Sequence, residues 1–318
     1  MKIPYLLENA IESETKGIKA TKLKELAQNL SKKYMNETRK GQTLLSEEQE
    51  ALAYSIMRMP ATFGAVTTAL KNTLNIAINC KIETVLDIGA GTGAATWAIN
   101  ELMDINQIAC IEREDVMRKV GQALMKYNSE MPKVEWINED ITNLQDIKGA
   151  DLIIVSYVIN ELKLEDREKV IKKLLELDSK ILLIIEPGTP EGFKNIKEIQ
   201  KISLERGAYV VAPCTSQETC KLPEEDWCHS LVRVERSRLH KILKSGDVPY
   251  EDEKFSYIAI SKQNLGTAQS RILRHPILEN GKVTLKLCTK GSIEQKTITK
   301  KEKEQFKLAK KKKCGDSI

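Results

Sequence analysis

An apolar strand pattern that leads directly into three alternating glycines most constrains the fold of this chain. Residues 83–93 read Glu-Thr-Val-Leu-Asp-Ile-Gly-Ala-Gly-Thr-Gly, and a short amphipathic helix pattern follows them. Glycines suit such a strand-turn-helix unit, because the turn is tight and a Cβ would keep the backbone away from a nucleotide. The glycines are not spaced as in a dinucleotide site, and an acid, Asp87, precedes the first one. The pattern favours S-adenosylmethionine, which has a sulfonium and no pyrophosphate.

Acids at the ends of the next predicted strands extend this interpretation. Glu112 follows the apolar run 108–111, where its carboxylate is expected to reach a ribose diol. Asp140 follows the predicted strand 134–137, a position suited to contacts with the adenine edge. Either acid taken alone could instead be a solvated residue at a strand end. The predicted cofactor-binding residues are Asp87, Gly89, Gly91, Gly93, Glu112 and Asp140.

Strand and helix patterns alternate from residue 81 to about 190. Such alternation predicts an α/β fold with a parallel sheet, a Rossmann-like core whose ligand crevice lies at the carboxyl ends of the strands. We divide the chain into a helical N-terminal region (1–80), the S-adenosylmethionine-binding core (81–190), a cysteine loop and basic segment (191–262), and C-terminal strands with a basic tail (263–318). We expect a helix from Glu47 to end at Pro60, since proline lacks the amide donor of a helix interior.

The cysteines bear on both compartment and chemistry. The chain has seven cysteines and no secretory signal, which indicates reduced thiols or metal ligands. No apolar stretch of 18 residues occurs, so we expect a cytoplasmic protein without membrane contact.

Three cysteines lie close together in a segment with little helical periodicity. Cys214, Cys220 and Cys228 fall within 15 residues, and Cys288, on an alternating strand pattern, could complete a four-thiolate site. Four thiolates select zinc or an iron-sulfur cluster. The intervals lack the Cys-x2-Cys pairs of a zinc ribbon, and on spacing alone a chance group of buried cysteines is the alternative. His229 is a reserve ligand.

Basic residues beside the cysteine loop and near the C-terminus predict a surface that binds polyanions. Residues 300–313 contain eight lysines and two glutamates. Phosphate contacts supply affinity without reading base sequence, and a solvated helix face is the alternative for both segments. The predicted RNA-binding residues are Arg233, Arg236, Arg238, Lys241 and Lys244.

A methyl acceptor is expected at the end of the fourth strand pattern, 151–157. Asn160 and Glu161 follow it and are the acceptor-side candidates, although Glu161 could equally cap the next helix. The segment lacks the Asn-Pro-Pro-Tyr run of many N-methyltransferases and the Pro-Cys of cytosine-C5 enzymes. Methyl transfer from a sulfonium can proceed largely through positioning and removal of water, so a catalytic residue need not be evident.

Several stretches resemble one known family. They are Pro-Gly-Thr-Pro-Glu-Gly-Phe at 187–193, Ala-Pro-Cys at 212–214, Asp-Trp-Cys-His at 226–229, Arg-Val-Glu-Arg-Ser at 233–237 and Tyr-Glu-Asp-Glu-Lys-Phe-Ser-Tyr at 250–257. These motifs are similar to the mitochondrial small-ribosomal-subunit methyltransferase-like family, which has bacterial members. The similarity is nearly full-length, from Leu52 to Asp316. Where members often show Pro-His after the first cysteine, this chain has Thr215-Ser216, which removes a histidine but no thiolate.

The resemblance implies a class I S-adenosylmethionine-dependent methyltransferase fold and association with the small ribosomal subunit and its rRNA during assembly. It also implies a [4Fe-4S] cluster, and by position the matching ligands are Cys214, Cys220, Cys228 and Cys288. Zinc remains the alternative metal. Two functions stay open: methylation of rRNA, or a non-catalytic assembly factor that binds rRNA. We expect a ribosome-associated protein that is a monomer when free.

Overall fold

A computed structural model describes residues 1–37, 45–144, 147–244, 246 and 248–317, with the backbone alone for 34–37. The helices are α1 Tyr5–Glu14, α2 Ala20–Glu37, α3 Glu48–Leu74, α4 Ala94–Asn100, α5 Asp115–Met125, α6 Leu164–Glu176, α7 Pro190–Glu205, α8 Arg238–Lys244 and α9 Lys303–Lys311. The strands are β1 Thr84–Ile88, β2 Gln107–Ile111, β3 Lys133–Ile137, β4 Leu152–Ser156, β5 Ile181–Pro187, β6 Tyr209–Ala212, β7 Ser230–Glu235, β8 Tyr250–Ser261, β9 Ser270–Ile272, β10 Ile277–Glu279, β11 Lys282–Thr289 and β12 Ser292–Thr299.

These elements form two compact units. The first unit consists of Met1–Thr68, Lys81–Lys180 and Val232–Glu253. The second unit consists of Ala69–Cys80, Ile181–Leu231 and Lys254–Ile318. The segment boundaries proposed from the sequence stay a prediction.

The first unit contains parallel strands in the order β3-β2-β1-β4. Helices α4 and α5 follow β1 and β2 along the chain, so strand and helix alternate as expected of parallel crossovers. The four apolar residues of β4, Leu152 to Val155, are fully buried, as is typical of a parallel strand covered on both faces. This arrangement confirms the predicted α/β class with a parallel, Rossmann-like core.

The expected end of the helix at Pro60 is wrong. Helix α3 continues through this proline to Leu74. An interior proline costs about 3 kcal/mol, but the apolar side chains on either side of it are almost entirely buried, including Ile56, Met59 and Phe63. Burial is worth roughly 1.5–3 kcal/mol for each such side chain, and together these terms outweigh the lost hydrogen bond.

The second unit contains antiparallel pairs. Strand β8 pairs with β5 on one side and β6 on the other. A separate small sheet has the order β10-β11-β12, with β9 also paired to β11, and all its pairs are antiparallel. Its buried side chains, including Leu285 and Ile298, pack together with Ala309 of α9. Within the described ranges, no helix is long and apolar enough to cross a membrane.

Candidate cofactor site and cysteine-lined cavity

The three glycines after β1 all have left-handed backbone angles, but for different reasons. Their φ values are 68° at Gly89, 57° at Gly91 and 87° at Gly93. A Cβ at Gly89 would lie 2.4 Å from Val158, and one at Gly93 would lie 2.3 Å from Met125. A Cβ at Gly91 would meet nothing within 4 Å. A side chain at Gly89 would therefore clash with Val158, and one at Gly93 would have to displace the flexible end of Met125, whereas Gly91 borders open space.

The glycine loop is attached to the end of β2. The amides of Gly89 and Ala90 donate to the carbonyl of Ile111, at 2.8 and 3.0 Å. The Gly91 amide donates to Glu112 Oε2 at 2.9 Å, and the Glu114 amide donates to Oε1 at 2.8 Å. Burial raises the pKa of Glu112 above its ordinary value, and these two hydrogen bonds oppose that shift. The carboxylate is thus held against the loop.

Asp140 is fixed by two neighbours. The amide and hydroxyl of Thr142 donate to Oδ1 at 2.9 and 2.7 Å, and Arg113 Nη1 lies 3.0 Å from Oδ2. Partial burial works against ionisation, yet these hydrogen bonds hold the pKa of Asp140 below its ordinary value. Asp140 is therefore an oriented, ionised carboxylate.

Asp87 lies beneath the loop. It is fully buried, and the Thr96 hydroxyl donates to Oδ2 at 2.9 Å. Burial raises the pKa of Asp87 to about 7.

A cavity of about 260 Å³ lies within the first unit, at the carboxyl ends of β1, β2 and β4. Of the predicted cofactor residues, the structure places four on its lining and leaves Asp87 and Gly93 off it. The four are Gly89, Gly91, Glu112 and Asp140. Of the acceptor-side candidates, Glu161 lines the cavity and Asn160 does not. The Asn160 carbonyl instead accepts a hydrogen bond from Arg167 at 3.2 Å.

Sequence reasoning missed two residues beside this cavity, Tyr157 and Glu253. Tyr157, directly after β4, also has a left-handed φ of 63°, which is unusual for a bulky residue and is often found at functional sites. Its hydroxyl donates to Glu253 Oε1 at 2.8 Å. The Arg58 guanidinium lies 3.8 Å from the same oxygen and 5.9 Å from the Tyr157 ring centroid. The position of Tyr157 at the end of a buried strand could have indicated that it lies at the site. Glu253 is remote in sequence, so no local pattern relates it to the site.

A second cavity, of about 50 Å³, lies within the second unit. Its lining includes all four predicted metal ligands, Cys214, Cys220, Cys228 and Cys288. Burial is the main cause that raises the pKa of Cys214, and the neighbouring thiols raise it further. Among the described residues, no group of three or more His, Cys, Asp or Glu forms a site for a single metal ion. The fold thus brings the four thiols around one cavity without a defined ion position.

The other candidate ligands lie outside this cavity. His229 does not line it, and burial lowers the pKa of its imidazole to about 4. Cys314 is buried, and its thiol donates to the carbonyls of His229 and Leu273 at 3.2 and 3.3 Å. Cys80 and Cys110 are also absent from the cavity lining.

The loop that carries Cys228 is held by charged residues. Asp226 forms ion pairs with Arg274 and with Lys286, whose Nζ lies 2.8 Å from Oδ2. Arg274 also donates to the Trp227 carbonyl at 2.9 Å, and the Trp227 indole donates to the Gly188 carbonyl at 3.1 Å. These contacts fix the segment next to Cys228.

Most of the predicted RNA-binding residues near β7 and α8 are ion-paired. Arg233 makes a two-point contact with Asp252, at 2.7 and 2.8 Å. Arg236 and Lys244 both contact Glu251 Oε2, at 3.1 and 2.6 Å. Arg238 and Lys241 are the two predicted residues without an ion pair in the part of the chain that the structure describes, and Arg238 is exposed.

The lysine-rich segment at the C-terminus is largely the helix α9. Ala309 is buried in the core of the small sheet, with Phe306 packed against it. Most of the lysines of 300–313 are exposed. Helix α9 is therefore packed against the small sheet and exposes most of its lysines to solvent.

A family model and two known proteins match most of this chain. The family described as "Mitochondrial small ribosomal subunit Rsm22" matches residues 48–318. The chain is similar to human "Ribosome assembly protein METTL17, mitochondrial", with 24% identity over 241 residues that cover 70% of this chain and 51% of that protein. It is similar to "Rsm22-cox11 tandem protein 2, mitochondrial" of Schizosaccharomyces pombe, with 22% identity over 324 positions, 85% of this chain and 43% of that protein. The chain thus spans about half the length of the curated relatives it matches.

Both relatives are named as mitochondrial proteins, so the expected cytoplasmic location has no support from them. Among solved structures, the chain is similar to "the plantazolicin methyltransferase BpumL in complex with SAH". The identity is 14% and the TM-score 0.45, with 80% of this chain and 99% of that chain covered.

Proposed function

Because this chain belongs to the mitochondrial small ribosomal subunit Rsm22 family, we propose that it binds S-adenosylmethionine and acts in assembly of the small ribosomal subunit. The observation that carries the cofactor assignment is the cavity at the carboxyl ends of the parallel strands, lined by the glycine loop and by two oriented acids. Ligands of open parallel sheets bind at this edge. The association with the ribosomal subunit is inferred from the family.

The cavity residues suit this cofactor by their chemistry. Gly91 borders open space, so a ligand can approach the loop backbone closely. The Glu112 carboxylate can accept from ribose hydroxyls, and the Asp140 carboxylate can accept from an amine. Glu114, Glu139 and Glu161 add further acids to the lining, which favours a cationic ligand over one that carries phosphates. When bound, the cofactor supplies an electrophilic methyl group on its sulfonium.

Methylation of rRNA is the first form of this function, and Glu161 favours it. Glu161 lines the cavity just beyond β4, at the edge of the sheet where we propose that the cofactor binds. We assign Glu161 to contact with the acceptor, whereas Asn160 contributes through its backbone carbonyl to Arg167. The alternative form is an assembly factor that uses the bound cofactor without turnover.

Maps of methylated nucleotides in small-subunit rRNA separate the two forms. Cells that lack the gene are complemented with wild type, with Glu161→Gln or with Gly91→Arg. If the protein is an enzyme, one nucleotide should lack its methyl group both in cells without the gene and in cells complemented with Gly91→Arg. If Gly91→Arg restores both subunit assembly and every methyl group, methylation by this protein is excluded and the assembly role stands.

We further propose that Cys214, Cys220, Cys228 and Cys288 hold one [4Fe-4S] cluster. An all-thiolate set around one cavity suits iron-sulfur ligation. The cluster would supply a covalent link between the loop that contains the first three cysteines and strand β11, which carries the fourth. Anaerobically purified protein is expected to be brown, with about four irons per chain and broad visible absorbance. A colourless protein with one zinc per chain would overturn the cluster and retain the four-cysteine site.

The proposed RNA contacts are Arg238, Lys241 and the exposed lysines of α9. Arg233 already has a carboxylate partner in Asp252, so a phosphate would have to replace an existing ion pair there. We expect Arg238→Glu to lower the slope of log affinity against log salt by about 0.7 to 0.9 for the one lost contact. Arg233→Glu is the matched control, with a smaller expected change. If removal of residues 300–318 together with Arg238→Glu leaves binding to small-subunit rRNA unchanged, the assigned RNA surface is wrong.

A further inference from the structure

A buried arginine lies beside the cysteine-lined cavity. Arg271, on β9, is only 4% exposed and belongs to the lining of the same cavity as the four cysteines. In the antiparallel register of β9 and β11, it stands directly opposite Cys288. A guanidinium stays charged at every pH that a protein experiences. The second unit therefore buries a permanent positive charge next to its thiols.

Within the described ranges, the partners of this charge are neutral. Arg271 Nη2 donates to Ser230 Oγ at 2.9 Å, and the guanidinium lies 5.6 Å from the Tyr257 ring centroid. Its Nε has no hydrogen-bond partner among the described residues, and no carboxylate in that part of the chain pairs with it. Buried cations are normally paired, because an unpaired one keeps the full cost of leaving water.

The groups around Arg271 that metal ligation would turn into anions are thiols. Arg271 lines the same cavity as Cys214 and Cys228, and it stands opposite Cys288 in the strand register. All three cysteines belong to the proposed ligand set. The buried charge thus faces the place where metal ligation would create negative charge.

We propose that Arg271 is the counter-ion of the metal-loaded cysteine site, a positioning residue that balances the negative charge of the thiolate-ligated cluster. The inference rests on the proposed [4Fe-4S] cluster. Four thiolates bring more negative charge than the cluster core brings positive charge, so the loaded site is a buried anion. Arg271 and the cluster each supply the charge that the other lacks. Without metal, the guanidinium is a buried cation that no carboxylate of the described residues pairs with.

The proposal predicts opposite effects in the two states of the protein. Arg271→Met removes the charge and retains much of the volume, so the metal-free protein should unfold at an equal or higher temperature than wild type. The loaded variant should lose its cluster to a chelator at least about tenfold faster, as loss of outer-sphere partners at metal sites does. Arg271→Lys retains the charge and should restore most of the cluster retention. A role in packing alone would destabilise both states.

The reduction potential gives a readout that packing does not move. One electron from dithionite adds a further negative charge to the cluster, and a nearby cation favours that change. The potential of Arg271→Met should therefore be lower than that of wild type, and the potential of Arg271→Lys should lie near wild type. Arg206→Met is the control, because Arg206 belongs to the same unit, is exposed and does not line the cavity. It should leave both the rate of cluster loss and the potential unchanged.

The experiment uses the full chain, purified anaerobically and reconstituted with iron and sulfide. Iron content, absorbance decay in chelator, thermal unfolding with and without metal, and the potential from an electron paramagnetic resonance titration are measured for each variant. Equal decay rates and equal potentials for wild type and Arg271→Met would overturn the counter-ion while the cluster stands. Unfolding of metal-free Arg271→Met would also overturn it, in favour of packing. Wild type without iron would instead refute the proposed cluster, and the counter-ion with it.

Discussion

Gly91→Arg is expected to abolish S-adenosylmethionine binding without unfolding the protein. The backbone there has φ 57°, and a Cβ would meet no atom within 4 Å, so the new side chain has room in the free protein. The strain of a left-handed non-glycine residue is about 1–2 kcal/mol. In a unit of this size, that strain lowers the melting temperature by roughly 2–8 °C.

The effect on binding is much larger, because the room at Gly91 belongs to the cofactor cavity of about 260 Å³. A bound cofactor and an arginine side chain cannot both occupy that space, and the cationic guanidinium also repels a sulfonium. We expect affinity to fall by about a hundredfold or more, which corresponds to roughly 2.7 kcal/mol. Gly91→Ala should show the backbone strain with only a small part of the steric loss.

Gly17→Arg is the matched control in the same unit. Gly17 also has a left-handed φ, of 91°, and a Cβ there would meet nothing within 4 Å, but it does not line the cavity. Isothermal titration calorimetry with S-adenosylmethionine, together with thermal unfolding, is measured on all four proteins. Equal affinities for wild type and Gly91→Arg would refute the cofactor assignment. Unfolding of Gly91→Arg with a normal Gly17→Arg would refute the claim that the space at Gly91 is open.

Three further predictions concern stability. Burial raises the pKa of Asp87 from 3.8 to about 7, so its contribution to stability is complete below pH 3.8 and is lost as pH rises towards 7. In urea titrations at pH values across that range, the free energy of unfolding of Asp87→Asn should rise relative to that of wild type by on the order of 4 kcal/mol. If the free energies of unfolding of the two proteins change with pH in the same way, the assigned pKa is wrong. Asp226→Asn removes the carboxylate that pairs with Arg274 and should lower the free energy of unfolding by about 1–3 kcal/mol. Limited proteolysis should then cleave the adjacent loop faster, and unchanged cleavage would contradict its role. A Cβ at Gly64 would lie 2.6 Å from Val234 Cγ1, so Gly64→Ala should cost about 1–3 kcal/mol in chemical denaturation, and a neutral effect would show that this contact can relax.

Local patterns were sufficient for the core of the first unit. The glycine loop, the acid after β2 and the apolar fourth strand were predicted from the order of residues alone. Strand and helix periodicities are properties of short segments, and right-handed crossovers leave few arrangements for an alternating series. The wrong prediction at Pro60 has the same origin. The cost of a proline inside a helix is a local property that the sequence shows, whereas the burial of the side chains around it depends on the tertiary structure.

Long-range partners could not be predicted, because they depend on which segments the fold brings together. The sequence by itself determined the α/β class, the glycine loop and the candidacy of four cysteines. Only the tertiary structure decided that Arg233 is paired with Asp252 and that Tyr157 bonds to Glu253, 96 positions apart. It alone placed Arg271 opposite Cys288, in the wall of the cavity that all four cysteines share. The physical reason is that periodicity and turn chemistry act over a few residues, whereas burial, ion pairing and charge balance act through space between segments whose separation in sequence carries no signal.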